Sequence, residues 1–256
     1  MFLHGLMGSG SNWRQVAKAF AEDYQVLTFD QRGHGRSHPP GDHFRPTDFA
    51  QDLRLILDEL GWERIFLVGH SMGGRNALEF AWRFAHRVIG LVMEDIGPEA
   101  KASAMDRIRR LLDLVPSPFS SRAEARRFLL EEYPKLISFY PRPETVAMFL
   151  LTNIVEKAPG VWDWRFDKTA ILAALTAGRQ EDRWDAFQNL KCPVLVMRGE
   201  NSTDLDRETF ERMQRLLPSA RAVEIPGAGH WVHFEQPDAF IRVVREFFLT
   251  CGSDSV

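Results

Sequence analysis

Short apolar runs alternate along this chain with longer stretches in which apolar positions recur every three or four residues. Runs at 25–29, 65–68, 88–93, 194–197 and 222–225 have the length and continuous apolar character of strands buried on both faces. The stretches at 47–60, 72–85, 205–217 and 237–249 carry a helical period, as in Phe240, Val243, Val244, Phe247 and Phe248. Strand followed by helix, repeated, predicts a parallel sheet with helices packed on it, an α/β architecture.

The alternation stops between Gly97 and about Asp185. There Pro98, Pro116, Pro118, Pro134, Pro141, Pro143 and Pro159 punctuate short helical pieces, and no strand is evident. The strand and helix pattern resumes at Cys192 with the same character, which favours a helical lid inserted into one sheet over a separate domain. The expected organisation is a core of residues 1–96 and 186–251, a lid at 97–185 and a disordered tail at 252–256.

Composition narrows the function. With 256 residues and 45% apolar content the chain can build a sizeable core. Thirty-two Lys plus Arg against 35 Asp plus Glu leave a formal charge of -3, without the basic face that nucleic acid binding needs. Cys192 and Cys251 are too few and too far apart for a disulfide framework or a zinc site, which fits a reducing compartment. No signal-peptide pattern or apolar run of membrane-spanning length is visible, so a cytoplasmic address and no membrane partner are expected. No metal or other cofactor is expected.

The chemistry centres on residues 65–74, where an apolar strand runs into Gly69-His70-Ser71-Met72-Gly73 and then a helix. This is a G-x-S-x-G turn in the context that lifts a serine above a sheet as a nucleophile. Glycines at 69 and 73 leave room for a turn so tight that a side chain there would clash. The turn also aims the Met72 amide and the positive end of a helix at charge developing on a substrate. The competing reading is a serine that merely caps the helix. A serine hydroxyl needs a base, most often histidine. Of eight histidines, His230 lies in the Gly-rich loop 227–230 after the last strand, beside the end of the sheet where active-site loops gather. His233 is close enough to be a pocket or structural residue. His4, His34 and His70 read as loop pins; His38, His43 and His86 read as solvated.

Four segments in this order, His4-Gly5, Asp30-Gln31-Arg32-Gly33-His34-Gly35-Arg36-Ser37, Gly69 to Gly74, and Gly227-Ala228-Gly229-His230, resemble the α/β-hydrolase superfamily over residues 4–249. Asp95-Ile96-Gly97-Pro98 and the residues 229–233 look most like small bacterial carboxylesterases and acyl-thioesterases. The resemblance implies a mostly parallel α/β-hydrolase sheet flanked by helices with an inserted lid. It implies a serine hydrolase that cleaves carboxylic esters or thioesters of short- to medium-chain acyl groups through a Ser-His-Asp triad and an acyl-enzyme. A C–C bond hydrolase or lyase on the same fold is the first alternative, and a non-catalytic binding protein is the alternative of another class. Epoxide hydrolases and haloalkane dehalogenases carry a carboxylate at the elbow, where this chain has Ser71.

The family places its acid after either of two strands, and both sites offer a carboxylate. Asp95 follows the run 88–93, 24 residues beyond Ser71, and is preferred. Asp204 is one step out of register at the later position, which leaves Ser202 to complete a hydrogen-bond network there. As caps, Asp95 would close a turn and Asp204 would start the helix at 205–217. The resemblance puts the second oxyanion donor on the amide of Leu6, with Met7 in reserve, beside Met72. Met7, Trp13, His70 and Trp231 are the expected substrate-binding residues. Phe119, Phe128, Phe139, Phe149, Trp162, Trp164 and Trp184 offer an apolar wall for an acyl chain, although most of them are expected in the lid's own core. Family members carry more strands before the His-Gly pair than this sequence does. The first strands are therefore expected to be missing, with an upstream start preferred over pairing of the exposed edge with another chain.

Overall fold

The computed structural model describes residues 1–37, 41, 43–100, 102–178 and 180–252. Five parallel strands form the central sheet in the order β1 (Phe2–Leu3), β2 (Ile65–His70), β3 (Val88–Glu94), β6 (Val194–Gly199) and β7 (Arg221–Ile225). Each crossover brings the chain back in the same direction, so the C-terminal ends of β2, β3, β6 and β7 lie side by side along one rim.

The four helices that the period predicts fall where it placed them, at Pro46–Leu60, Met72–Arg83, Arg207–Leu216 and Pro237–Gly252. Pro46 opens the first, and Gly61 closes it with φ 65°, a conformation cheap only for glycine. One face of the sheet buries Leu67, Leu91, Leu78 and Phe80 with Leu53 and Leu57. The other buries Val68, Val92, Leu195 and Met197 against Phe240, Val244 and Phe247 of the last helix.

Two expectations are corrected here. The run 25–29 is not a full strand. Phe2 donates to the Leu27 carbonyl at 3.0 Å and Thr28 forms a single bridge to Phe2, because β1 offers only two residues to pair with. The second correction concerns the stretch between β3 and β6, which contains an antiparallel hairpin of β4 (Ile154–Ala158) and β5 (Val161–Trp164) turned by Pro159-Gly160, with Gly160 at φ 73°. Strand patterning is hidden there because four of the five β4 residues keep side chains outside the core.

The rest of that stretch is helical, at Ala102–Asp113, Arg122–Arg127, Tyr133–Leu136, Pro143–Thr152 and Lys168–Gly178. Its apolar side chains form one cluster with Leu6, Met7, Phe44 and Trp231 of the core loops and Phe49 of the helix Pro46–Leu60, which seats it over the rim. Trp184 belongs instead to the sheet's own core. Gly252 closes the last helix; residues 253–256 of the expected tail, and His38, lie outside the described residues. No helix among the described residues is long and apolar enough to cross a membrane.

Candidate active site

Ser71 is the pivot between β2 and the helix Met72–Arg83. Its N–H still donates to the Glu94 carbonyl at 3.0 Å, as a ladder residue would, but its φ of 53° and ψ of -119° throw the chain abruptly into the helix. A serine held there carries roughly 1–3 kcal/mol of strain, which the packing around it must outweigh. Glycines make the turn possible. A Cβ on Gly73 would lie 2.6 Å from the His4 carbonyl oxygen, and one on Gly69 would run into the backbone of residues 73 and 74. As the first residue of its helix, Met72 presents an N–H that no carbonyl of its own helix can reach.

Next door, Asp95 repeats the device. Its N–H donates to the Met197 carbonyl at 2.8 Å, and a φ of 52° then turns the side chain into the rim, where it is wholly buried. Oδ1 accepts from the Gly199 amide at 3.0 Å. Oδ2 accepts from the Ser202 hydroxyl and, at 2.7 Å, from His230 Nδ1. Burial pushes the Asp95 carboxyl up to about 6, against the pull of these three donors. Burial also opposes a charge on His230, but the nearby Asp204 carboxylate and the bond to Asp95 outweigh it and raise its pKa above the ordinary value.

The structure thus separates the two candidate acids. Asp95 holds the hydrogen bond; Asp204 Oδ2 stands 3.8 Å from the same Nδ1 and accepts from Tyr140 Oη at 2.9 Å, while its Oδ1 pairs with Arg107. Nor does Asp204 cap the following helix. Asp206 does so, accepting from the Thr209 amide at 2.8 Å. Ser202, at the position Asp204 misses, is where the network was expected to close.

The main chain around His230 is fixed on both sides by Glu235, which the sequence reading missed. Its carboxylate accepts from the Gly229 amide at 3.1 Å and the Trp231 amide at 3.3 Å, and pairs with Arg142 at 2.9 Å. A carboxylate five residues after the histidine was the available signal. From the sheet side, His70 Nε2 donates to the His230 carbonyl at 2.9 Å, and burial keeps the His70 ring neutral by lowering its pKa well below the usual range. His70 therefore positions the loop and does not line the cavity beside Ser71, a correction to its expected contact with substrate. His233 Nδ1 donates to Glu94 at 2.8 Å from Oε1 and 2.9 Å from Oε2. His70, Glu94 and His233 gather ligand-type atoms within 4.8 Å, all of them buried, but the ring nitrogens named here are already engaged in these bonds.

His4 and His34 pin loops as expected. His4 Nδ1 donates to the Gly5 carbonyl at 2.8 Å and Nε2 accepts from the Gln31 amide at 2.9 Å, with burial lowering its pKa to about 4. This holds the turn in which Gly8 N–H donates to the Gly5 carbonyl at 3.1 Å and Met7 takes φ 63°. His34 Nδ1 donates to the Arg32 carbonyl at 2.9 Å. His43 and His86 are exposed.

A cavity of about 410 Å³, counting its open mouth, has Ser71 in its wall with Leu6, Phe44, Phe49, Met72 and Leu175. Ile108 and Ala174 complete the apolar lining from the insertion. None of the seven aromatic residues expected as an acyl wall borders it. Phe119, Phe149 and Trp164 are buried in the cluster beneath the insertion, Phe128 and Trp162 pack against it, and Phe139 is exposed. Trp13 is a second correction. It is completely buried, stacked on His233 at 4.1 Å and packed on Phe2 and Phe240 on the far side of the sheet, where so large a side chain finds a place in the core. Met7 is buried with the insertion's cluster, and Trp231 packs on Phe149 beside the Asp204 side of His230.

A family model described as "Alpha/beta hydrolase family" matches residues 1–243. The chain belongs to that family. It is 33% identical to the sn-1-specific diacylglycerol lipase ABHD11 of Mus musculus, over 96% of this chain and 80% of that one. To esterase YbfF of Escherichia coli K12 it is 28% identical, over 96% and 91%. Among solved structures, a marine microorganism esterase aligns with a TM-score of 0.77 at 31% identity, over 96% of this chain and 93% of that one. The mostly parallel, helix-flanked sheet is the fold of this family.

Proposed function

We propose that this hydrolase cleaves carboxylic esters, and by the same chemistry thioesters, of short- to medium-chain acyl groups through an acyl-enzyme on Ser71. Ester hydrolysis as the reaction class is supported by the esterases and lipase among its relatives. The observation that carries the mechanism is the 2.7 Å bond from His230 Nδ1 to a buried Asp95 at the strand end next to the Ser71 elbow. With Nδ1 donating to Asp95, Nε2 is left with its lone pair free to take a proton, which is what a base for a serine hydroxyl requires.

Ser71 Oγ attacks the acyl carbonyl while His230 takes its proton, and the amides of Met72 and Leu6 receive the oxyanion. His230 returns the proton to the leaving oxygen or sulfur. Water, deprotonated by the same imidazole, then releases the acid and restores Ser71. The cavity walled by Leu6, Phe44, Phe49 and Leu175 receives the acyl chain, and the insertion acts as the lid over it.

A serine-directed fluorophosphonate tests this reading. Intact mass should show one adduct, lost in Ser71→Ala, and aryl esters from acetate to decanoate should give their best turnover at short to medium length. No adduct, or a preference for long-chain lipid or bulky polar acyl groups, overturns it.

A further inference from the structure

Two carboxylates converge on one edge of the His230 imidazole, where the proposed reaction needs only one. Asp95 holds the hydrogen bond, and Asp204 Oδ2 lies 3.8 Å from the same nitrogen, within ion-pairing reach but beyond hydrogen-bonding distance. Capping does not explain Asp204, since Asp206 caps the helix that follows. Two groups that hold its oxygens come from the insertion: Arg107 in the helix Ala102–Asp113 and Tyr140 just before Pro143. Arg107 also lies over the Tyr140 ring, 5.6 Å from its centroid.

We propose that Asp204 is a second carboxylate that sets the basicity of His230, and that Arg107 and Tyr140 on the insertion govern how strongly it acts. This rests on the reading of His230 as the base. An anion beside Nδ1 stabilises the imidazolium, and a guanidinium clasping that anion cancels much of its field. With the insertion seated, Asp204 is shielded. When the insertion lifts to admit substrate, Arg107 and Tyr140 leave with it and the field of Asp204 at His230 strengthens. The position of the lid thereby reaches the base as charge. Among the described residues, the other charged or titratable groups named around His230 belong to the core rim or are paired. His70 is neutral at the end of β2, Asp95 follows β3, and Glu235 is tied to Arg142.

The direct test is the titration of His230 followed by NMR in the full chain labelled at histidine Cε1, with the resonance assigned by its loss in His230→Asn. Asp204→Asn should lower the midpoint by about one pH unit, and Arg107→Gln and Tyr140→Phe should each raise it by several tenths. The acidic limb of kcat/KM on an aryl ester should move the same way. An unchanged midpoint in a folded Asp204→Asn chain overturns the proposal, as do unchanged midpoints in both Arg107→Gln and Tyr140→Phe should Asp204→Asn not fold. A purely structural role would lower Tm and leave the midpoint alone, which also overturns it. The titration is measurable whether or not Ser71 takes the fluorophosphonate, so failure of the esterase reading and failure of this one are told apart.

Discussion

Replacing Asp95 by asparagine separates two properties of one side chain. The carboxylate accepts three hydrogen bonds, with Gly199 N–H on Oδ1 and the Ser202 hydroxyl and His230 Nδ1 on Oδ2. In Asp95→Asn the Gly199 amide still demands an oxygen, so the NH2 group falls where Oδ2 was, facing Ser202 and His230. The Ser202 oxygen already accepts from the Asp204 and Leu205 amides, and His230 must accept at Nδ1 and carry its proton on Nε2, which disables it as a base. Turnover should fall by on the order of 10⁴, about 5.5 kcal/mol of transition-state stabilisation, with only a small change in KM. Stability should move the other way. A carboxyl whose pKa is raised from 3.8 to about 6 by burial destabilises the fold by nothing below 3.8, where both states are protonated, by an increasing amount between the two values, and fully above 6. Near neutral pH that cost is at most about 3 kcal/mol, and the isosteric amide removes it. Asp95→Asn should therefore melt several degrees higher than the parent near pH 7.5, with the difference vanishing below about pH 4. Steady-state kinetics on an aryl butyrate and thermal melts across pH measure both. A loss under tenfold would remove Asp95 as the partner of His230, and a lower melting temperature at neutral pH would refute the account of its burial.

Gly73→Ala should destabilise the fold by about 2 kcal/mol or more and depress activity, because the new methyl meets the Leu3 and His4 carbonyl oxygens, as chemical denaturation and ester turnover would register. Leu175→Trp should shift the acyl-length optimum shorter with little loss on acetate, read from kcat/KM along the ester series. His230 has a pKa above 6.5, so kcat/KM should fall as the pH drops through a midpoint above that value, and an acidic limb centred below 6 contradicts the environment described for it. Arg75→Gln should speed hydrogen exchange across the helix Lys168–Gly178, measured by mass spectrometry, because its guanidinium donates to the carbonyls of Gly97, Glu99, Gly178 and Glu181.

The pivots of the site were legible because backbone geometry and chemistry demand particular residue types at close sequence spacing. Gly69 and Gly73 around Ser71 announce a turn that no other residues tolerate, and Asp95 and His230 each follow a readable strand. Features set by tertiary packing were not legible. Phe44, Phe49 and Leu175 look like ordinary core residues until the fold brings them beside Ser71, and Trp13 looks like a pocket aromatic until the sheet takes it. The segment 25–29 has the composition of a strand, yet the ladder it can form depends on a two-residue neighbour. Arg107 is one of three arginines in its helix, and nothing in the sequence says that it meets Asp204, 97 positions further along the chain.

Arg75 makes the insertion a cassette. Both of its ends, through the carbonyls of Gly97 and Glu99 and of Gly178 and Glu181, converge on a single guanidinium rooted in the helix behind Ser71, while the strands on either side, β3 and β6, pair directly with each other. A replacement module of quite different length and shape that returned its two termini to that side chain would leave the pairing of β3 with β6 as it is. Exchange by grafting is thus open to this scaffold, provided that the graft also replaces the hold of Arg142 on Glu235 beside His230.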